Sequence, residues 1–161
     1  MKKAIIISCI MVVLFPSLAF AQNEKKGAII GTFGAGVALR TTVVPETLGS
    51  VIFDLSLISA TGFSLCLTDV TVFSFAGTST HIMPGAGYHY MRDKWNIGAA
   101  ILVTPMAGDI MLAGKINGGY FFSNNIGITG ALMYSGVAGI MGFDFSMFNV
   151  FAGASIRFFL R

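Results

Sequence analysis

Residues 147 to 161, MFNVFAGASIRFFLR, alternate with a period of two: Phe148, Val150, Ala152, Ala154, Ile156, Phe158 and Leu160 share one parity, while Asn149, Gly153, Ser155, Arg157 and Arg161 share the other. Successive side chains of a strand point to opposite sides, so this pattern predicts an extended segment whose two faces meet different surroundings. A helix would smear it around its surface. The pattern recurs in 110 to 122, where Ile110, Leu112, Ile116, Tyr120 and Phe122 oppose Lys115, Asn117 and Ser123. It recurs again in 126 to 136, with Ile126, Ile128, Leu132 and Tyr134 opposing Thr129 and Ser135. Between them lies Ser123-Asn124-Asn125, residues that tolerate the dihedrals of a tight turn. The stretch GGYFFSNNIGITGALMYSG (118 to 136) therefore reads as a hairpin.

The same test along the chain predicts eight strands, over 26–40, 50–59, 62–73, 82–91, 95–105, 109–122, 126–137 and 147–160. Short turns fall near 60–62, 92–94 and 123–125. Longer connections are expected at 41–49, 74–81 and 138–146, with 105–109 a brief exception. In 62–73, Phe63, Leu65 and Leu67 keep the alternation, but Asp69 falls on the apolar parity, so a bulge or the strand's exit is expected there.

Composition then decides what the faces meet. The chain is 55% hydrophobic with a mean hydropathy of +0.80, too much apolar surface for one modest soluble core to hide. A membrane is the natural solvent, and only helices and closed barrels satisfy every backbone group inside it. Beyond the N-terminal segment no apolar run approaches about 18 residues, and the best helical candidate, 97–114, contains Pro105 and Asp109. The expected fold is all-β: a transmembrane antiparallel up-and-down β-barrel of about eight strands, an even number of the kind bacterial barrels use. A soluble sandwich with a tyrosine-rich core is the competing reading.

Trp95, Tyr88, Tyr90, Tyr120, Phe122 and Phe158 all lie on the apolar parity at the short-turn end, where an interfacial aromatic girdle belongs. Short turns face the periplasm in such barrels, so both termini are expected there.

Residues 1–21, MKKAIIISCIMVVLFPSLAFA, carry two lysines, an apolar stretch from Ala4 to Phe15, Pro16 and a small-x-small Ala19-Phe20-Ala21. That is the pattern of a cleavable secretory signal peptide, dividing the chain into 1–21 and a barrel domain, 22–161. An uncleaved anchor fits less well, since the apolar stretch is shorter than the roughly 20 residues a spanning helix needs. Cys9 precedes most of the apolar stretch, which argues against a lipid-modified cysteine. Without Lys2 and Lys3, eight of the 10 basic residues remain against seven acidic ones, so no nucleic-acid-binding stripe is left. Cys66 has no partner for a framework disulfide.

With its signal peptide, eight alternating strands, the 118–136 hairpin and a strand-like C-terminal segment, the chain resembles the small outer-membrane barrels of the OmpA membrane-domain and OmpX type, and more loosely the OmpW type. The likeness covers nearly all of 22–161 and is one of style. Members of that style commonly end in Phe or Trp, which resembles a signal for the barrel-assembly machinery. Here Phe158 and Leu160 supply the apolar parity and Arg161 is last. The resemblance implies the outer membrane of a diderm bacterium, with outer-membrane lipids and that machinery as partners.

An eight-stranded barrel has an interior its own side chains can fill. The parity sends inward Arg40, Asp54, Ser56, Ser64, Cys66, Thr68, His89, Asn96, Lys115, Asn117, Thr129, Asn149 and Arg157. Asp54 and Lys115 reach similar depth and are expected to pair, with His89 and Arg157 lower. Arg40, Asp54, His89, Lys115, Asn117 and Arg157 thus form the candidate polar cluster. A self-satisfied plug is the first reading, and a gated path for ions or small hydrophobic solutes the alternative. A lipid-modifying enzyme needs a nucleophile and a base within reach; Ser79 and His81 share a face if extended, but no acidic residue lies near in sequence. No catalysis is expected. No cofactor is expected either, there being no Cys or His cluster for a metal and no P-loop. GTFGAG (31–36) lies inside an alternating strand rather than at a strand-to-helix turn. The scattered methionines read as filler. The role expected is structural or surface-interacting, with GVAGIMGF (137–144) the candidate contact for an unidentified surface partner or hydrophobic ligand.

Overall fold

The computed structural model describes residues 26–40, 46–105, 109–139 and 142–160, with the side chains of 138–146 outside the description. The signal-peptide reading of 1–21, residues 41–45 and Arg161 fall outside it as well. Eight strands follow in order: β1 (Ala28–Arg40), β2 (Glu46–Ile58), β3 (Phe63–Ser74), β4 (Gly77–Arg92), β5 (Trp95–Pro105), β6 (Ile110–Phe121), β7 (Ile126–Gly139) and β8 (Gly142–Phe159). Each pairs antiparallel with the next. β8 then returns to β1, with Ala28 opposite Phe159 and Arg40 opposite Met147, closing the barrel. Closure leaves no strand edge to recruit another chain. No helix among the described residues is long and apolar enough to cross a membrane.

The period of two sets the two sides of the wall. Outward stand Phe33, Ile101 and Ile128, each at least 60% exposed. Inward stand Ser56, Thr68, Asn149 and Ser155, each at most 1% exposed. Large apolar groups outside and polar ones within invert the usual arrangement of a soluble protein.

The chain enters β1 and leaves β8 at one end, the terminal end. Its turns are tight. At 59–62 the Ser59 N–H donates to Phe63 O (2.8 Å) and the Gly62 N–H to Ser59 O (3.0 Å). Gly62 has φ +92, and a Cβ there would run into the Tyr88 ring. Tyr88 in turn donates its phenol to Thr61 O.

The far end differs from the expected pattern of long connections. β4 already begins at Gly77, leaving only Phe75 and Ala76 between it and β3, with the Ser74 hydroxyl donating to Gly77 O at 2.9 Å. β8 begins at Gly142 and β2 at Glu46. Most of the expected loops 74–81 and 138–146 is therefore strand. Thr78, Ser79 and Thr80 are exposed on both parities. Alternation vanishes where both faces of a strand meet the same surroundings, although the backbone stays extended.

Two further points correct the sequence reading. The register runs unbroken past Asp69, which pairs with Phe53 and Ile82 and stays on the outer wall. The parity there is broken by side-chain chemistry alone: beyond Asp69 the outer wall continues into Thr71 and Thr80, whose hydroxyls are bonded at 3.0 Å. The one register shift among the described pairs lies at Ser135/Gly136 on the β7–β8 seam, where both residues are buried. The β4–β5 ladder stops at Gly85 opposite Leu102. Pro84 has no N–H to extend it, and the Thr104 hydroxyl bonds Ile82 O at 2.8 Å instead.

Candidate functional site: the barrel lumen

The lumen is built in three tiers. Its middle is polar. Asp54 on β2 and Lys115 on β6 meet there, the ammonium bonding Oδ1, with Asp54 7% and Lys115 2% exposed. The Thr68 hydroxyl donates to the same Oδ1 at 2.5 Å and accepts from Lys115 Nζ at 3.1 Å. Ser56 donates to Oδ2 at 3.3 Å. The two charges therefore share a hydrogen-bonded cage, the condition under which a buried pair is tolerated.

From that cage a chain of side chains runs toward the terminal end. Ser56 Oγ lies 3.5 Å from Cys66 Sγ, Cys66 Sγ 3.7 Å from Ser64 Oγ, and Ser64 Oγ 3.0 Å from His89 Nδ1. Asn117 Nδ2 reaches His89 Nε2 at 3.4 Å. The imidazole lies over Gly98, the partner of His89 on β5, where a Cβ would strike the ring. Beside Asp54, whose cross-strand neighbour is Thr32, the hydroxyls of Thr32, Ser155 and Thr129 share bonds of 2.9 and 2.5 Å.

The far tier is mostly apolar, with Ser50, Ser135 and Asn149 buried among its side chains. Leu48, Val72, Leu102 and the methionines 83, 111, 133 and 147 fill it, each no more than 8% exposed. The terminal tier is largely apolar too, formed by Ile30, Ile58, Met91 and Phe121, with Asn96 buried beside Met91. Arg157 closes this end. Its guanidinium stacks over the Phe121 and Phe159 rings at 4.2 and 4.5 Å, and it donates to Asp93 O at 3.0 Å and to Asn124 O at 3.2 Å. One side chain on β8 thus ties the β4–β5 and β6–β7 turns together across the mouth.

Of the six residues expected to cluster, Asp54, Lys115, His89 and Asn117 are brought into one network. Arg157 stands apart as the terminal seal. Arg40 does not join them: it sits at the far rim, 3.8 Å from Glu46, with 41% of its side chain exposed, because β1 ends there. Trp95, Phe122 and Phe158 are exposed on the outer wall, and Tyr88, Tyr90 and Tyr120 are half-buried in it. Trp95 meets Tyr120 edge-on at 4.9 Å.

Sequence reading set Ser155 on the polar parity but left it and Thr32 out of the lumen roster, although the same period places both inward. It also missed Phe121 and Phe159. Each is half of a Phe-Phe doublet, in which polarity cannot tell the two faces apart.

The belt has little room for chemistry. A cavity of about 10 Å3 lies among Asp54, Lys115, Asn117 and Thr129, space for about one water. Ser79 and His81 both lie in β4 and share its inward parity, but no hydrogen bond joins them. No group of three or more metal-ligating side chains occurs among the described residues.

No protein-family model and no curated protein matches the sequence. Solved structures do match the fold. The outer membrane protein OprG from Pseudomonas aeruginosa is similar with a TM-score of 0.54 and 11% identity over 85% of this chain and 98% of that one. Neisserial surface protein A is similar with a TM-score of 0.58 and 9% identity over 81% and 97%. A de novo designed transmembrane β-barrel gives 0.54 and 11% over 85% and 98%. At these identities the likeness is one of architecture: the chain has the closed eight-stranded fold of these barrels.

Proposed function

We propose that this chain is an outer-membrane β-barrel protein of a diderm bacterium, with both termini in the periplasm and a lumen sealed by its own side chains. Its role is structural or surface-interacting, in the style of the OmpA membrane domain and OmpX. Outer-membrane lipids surround it, and the barrel-assembly machinery inserts it. The observation that carries this reading is the inverted wall, apolar outward and polar within, on a barrel without an edge. Its strands run from 11 to 18 residues, at or above the roughly 9–11 that span a hydrocarbon core when tilted. The aromatic girdle at the terminal end supports the orientation.

The second reading, a narrow channel, draws on the polar belt. Against it weigh the mostly apolar packing of the far tier and the Arg157 seal. A lipid-modifying enzyme built on Ser79 and His81 is the least favoured reading.

Separation of the two membranes on a density gradient tests the location. The protein is expected in the outer-membrane fraction, in a form that shifts in gel mobility on boiling. Recovery in the soluble fraction would overturn the reading.

A further inference from the structure

The outer wall has a gap in its cover of large side chains on β6–β8. Ile97 pairs with Gly118, Gly118 with Gly130 and Gly130 with Ala152, so three neighbouring strands present almost nothing outward at one level. All three small residues are exposed. The result is a trough of about 920 Å3, floored by the backbone near Gly119, Thr129 and Gly153 and walled on the terminal side by Trp95, Tyr120 and Ile128.

Nothing within the chain requires glycine there. A Cβ on Gly118 would come no nearer than 3.9 Å to Asn96 O, and one on Gly130 no nearer than 3.7 Å to Phe151 O, both ordinary contacts. Glycine in a strand interior costs stability and often marks a bulge, a bend or the close approach of something else, and the register runs unbroken through Gly118 and Gly130, so no bulge accounts for them. The absence of an internal reason points outside the barrel.

Charge selects the occupant. Arg92, Asp93 and Lys94 stand exposed immediately before Trp95, and the Phe121 N–H donates to Lys94 O at 2.7 Å, pinning that turn against the Tyr120 end of the trough. Among the described residues, the exposed charges of the terminal end are Lys26, Arg92 and Lys94 against Asp93. At the far end Arg40 pairs with Glu46, and Asp109 is left over. An apolar trough with a basic, aromatic mouth fits an amphiphile with a negative head. A second copy of the barrel fits less well, since a symmetric pair would bring two cationic mouths together. We propose that the outer wall of β5–β8 binds one anionic phospholipid, an acyl chain lying over Gly118, Gly130 and Ala152 and the phosphate held by Arg92 and Lys94. This rests on the membrane-spanning reading above.

Trp95 walls the trough and is the only tryptophan of the chain, so its fluorescence reports on the site. The full chain is reconstituted in phosphatidylcholine vesicles carrying a minority of brominated phosphatidylglycerol, or the same fraction of brominated phosphatidylcholine. Phosphatidylglycerol is expected to compete for the Trp95 contact about threefold or more better, as cationic side chains at an anionic headgroup dictate. Arg92→Gln with Lys94→Gln is expected to bring the ratio to about one at low salt. Gly118→Leu, which enters open space and leaves the ladder intact, is expected to reduce quenching by both lipids.

Equal quenching by the two lipids in the unaltered protein would overturn the headgroup assignment, and undiminished quenching of Trp95 by both lipids in Gly118→Leu would overturn the trough. Quenching that falls for both lipids as the protein-to-lipid ratio rises would place a second copy there instead. Failure of the membrane-spanning reading would look different: the protein would not insert, and neither lipid would quench Trp95.

Discussion

The far half of the lumen and its middle are enclosed by the same wall and face the same way, yet the far half is mostly apolar, with only the uncharged Ser50, Ser135 and Asn149 among its buried polar groups, while the middle holds an ion pair. The far half holds Leu48, Val72, Leu102 and four methionines. The middle holds Asp54, Lys115, Thr68, Ser56 and His89. In an eight-stranded barrel the bore is narrow enough to be packed, so facing inward means being in a core. A core accepts methionine readily, because its unbranched chain fills irregular gaps. It accepts a lysine only with a carboxylate and further hydrogen bonds around it. Alternation therefore reports which side of the wall a residue faces, while packing and pairing decide what can stand there.

The sharpest way to break that contrast is to remove one charge from the middle. Lys115→Ala leaves Asp54 buried with only hydroxyls for company and is expected to cost about 3–5 kcal/mol, read as a lower urea midpoint of the refolded barrel. Replacing both partners, with Asp54→Leu and Lys115→Met, is expected to recover most of that loss. A midpoint unmoved by Lys115→Ala would remove the pair from the account. In the far half, Met133→Ala deletes atoms from a tier that is 2% exposed at that position, and its expected cost is about 2–4 kcal/mol by the same titration.

A smaller effect tests how His89 is seated. Gly98→Ala drives a methyl into the imidazole and is expected to cost about 1–3 kcal/mol. In a His89→Ala background the same change should cost far less, and a double-mutant cycle with no coupling would mean that the ring does not lie over Gly98. Smallest of all is the rim pair. Arg40→Ala should shift the midpoint by less than about 1 kcal/mol, as for other exposed ion pairs, because the two side chains are 41% and 49% exposed.

Much of the fold was legible because period two is a strong signal wherever a strand separates apolar surroundings from a polar interior. It places Asp54 and Lys115 on the inward face at a common depth. It failed at the far ends of β4 and β8, and for a physical reason: Thr78, Ser79 and Thr80 stand where both faces are exposed, so nothing in composition distinguishes strand from loop. It failed differently at Asp69, where a polar residue on the outer wall imitated a bulge, while the actual register shift at Ser135/Gly136 sits among small residues that keep no parity to break. The inward methionines escaped because an apolar group inside and one outside look alike in sequence. Only closure of the barrel shows that Met83, Met111, Met133 and Met147 form one tier.

That tier, with the Arg157 seal at the other mouth, makes the central claim testable by conductance. The folded protein, inserted into a planar lipid bilayer under voltage, is expected to give no discrete openings. Arg157→Ala alone should stay silent too, since the far tier remains packed. Reproducible unitary currents from the unaltered, demonstrably folded barrel would contradict the account and make the Asp54–Lys115 belt a conduction path.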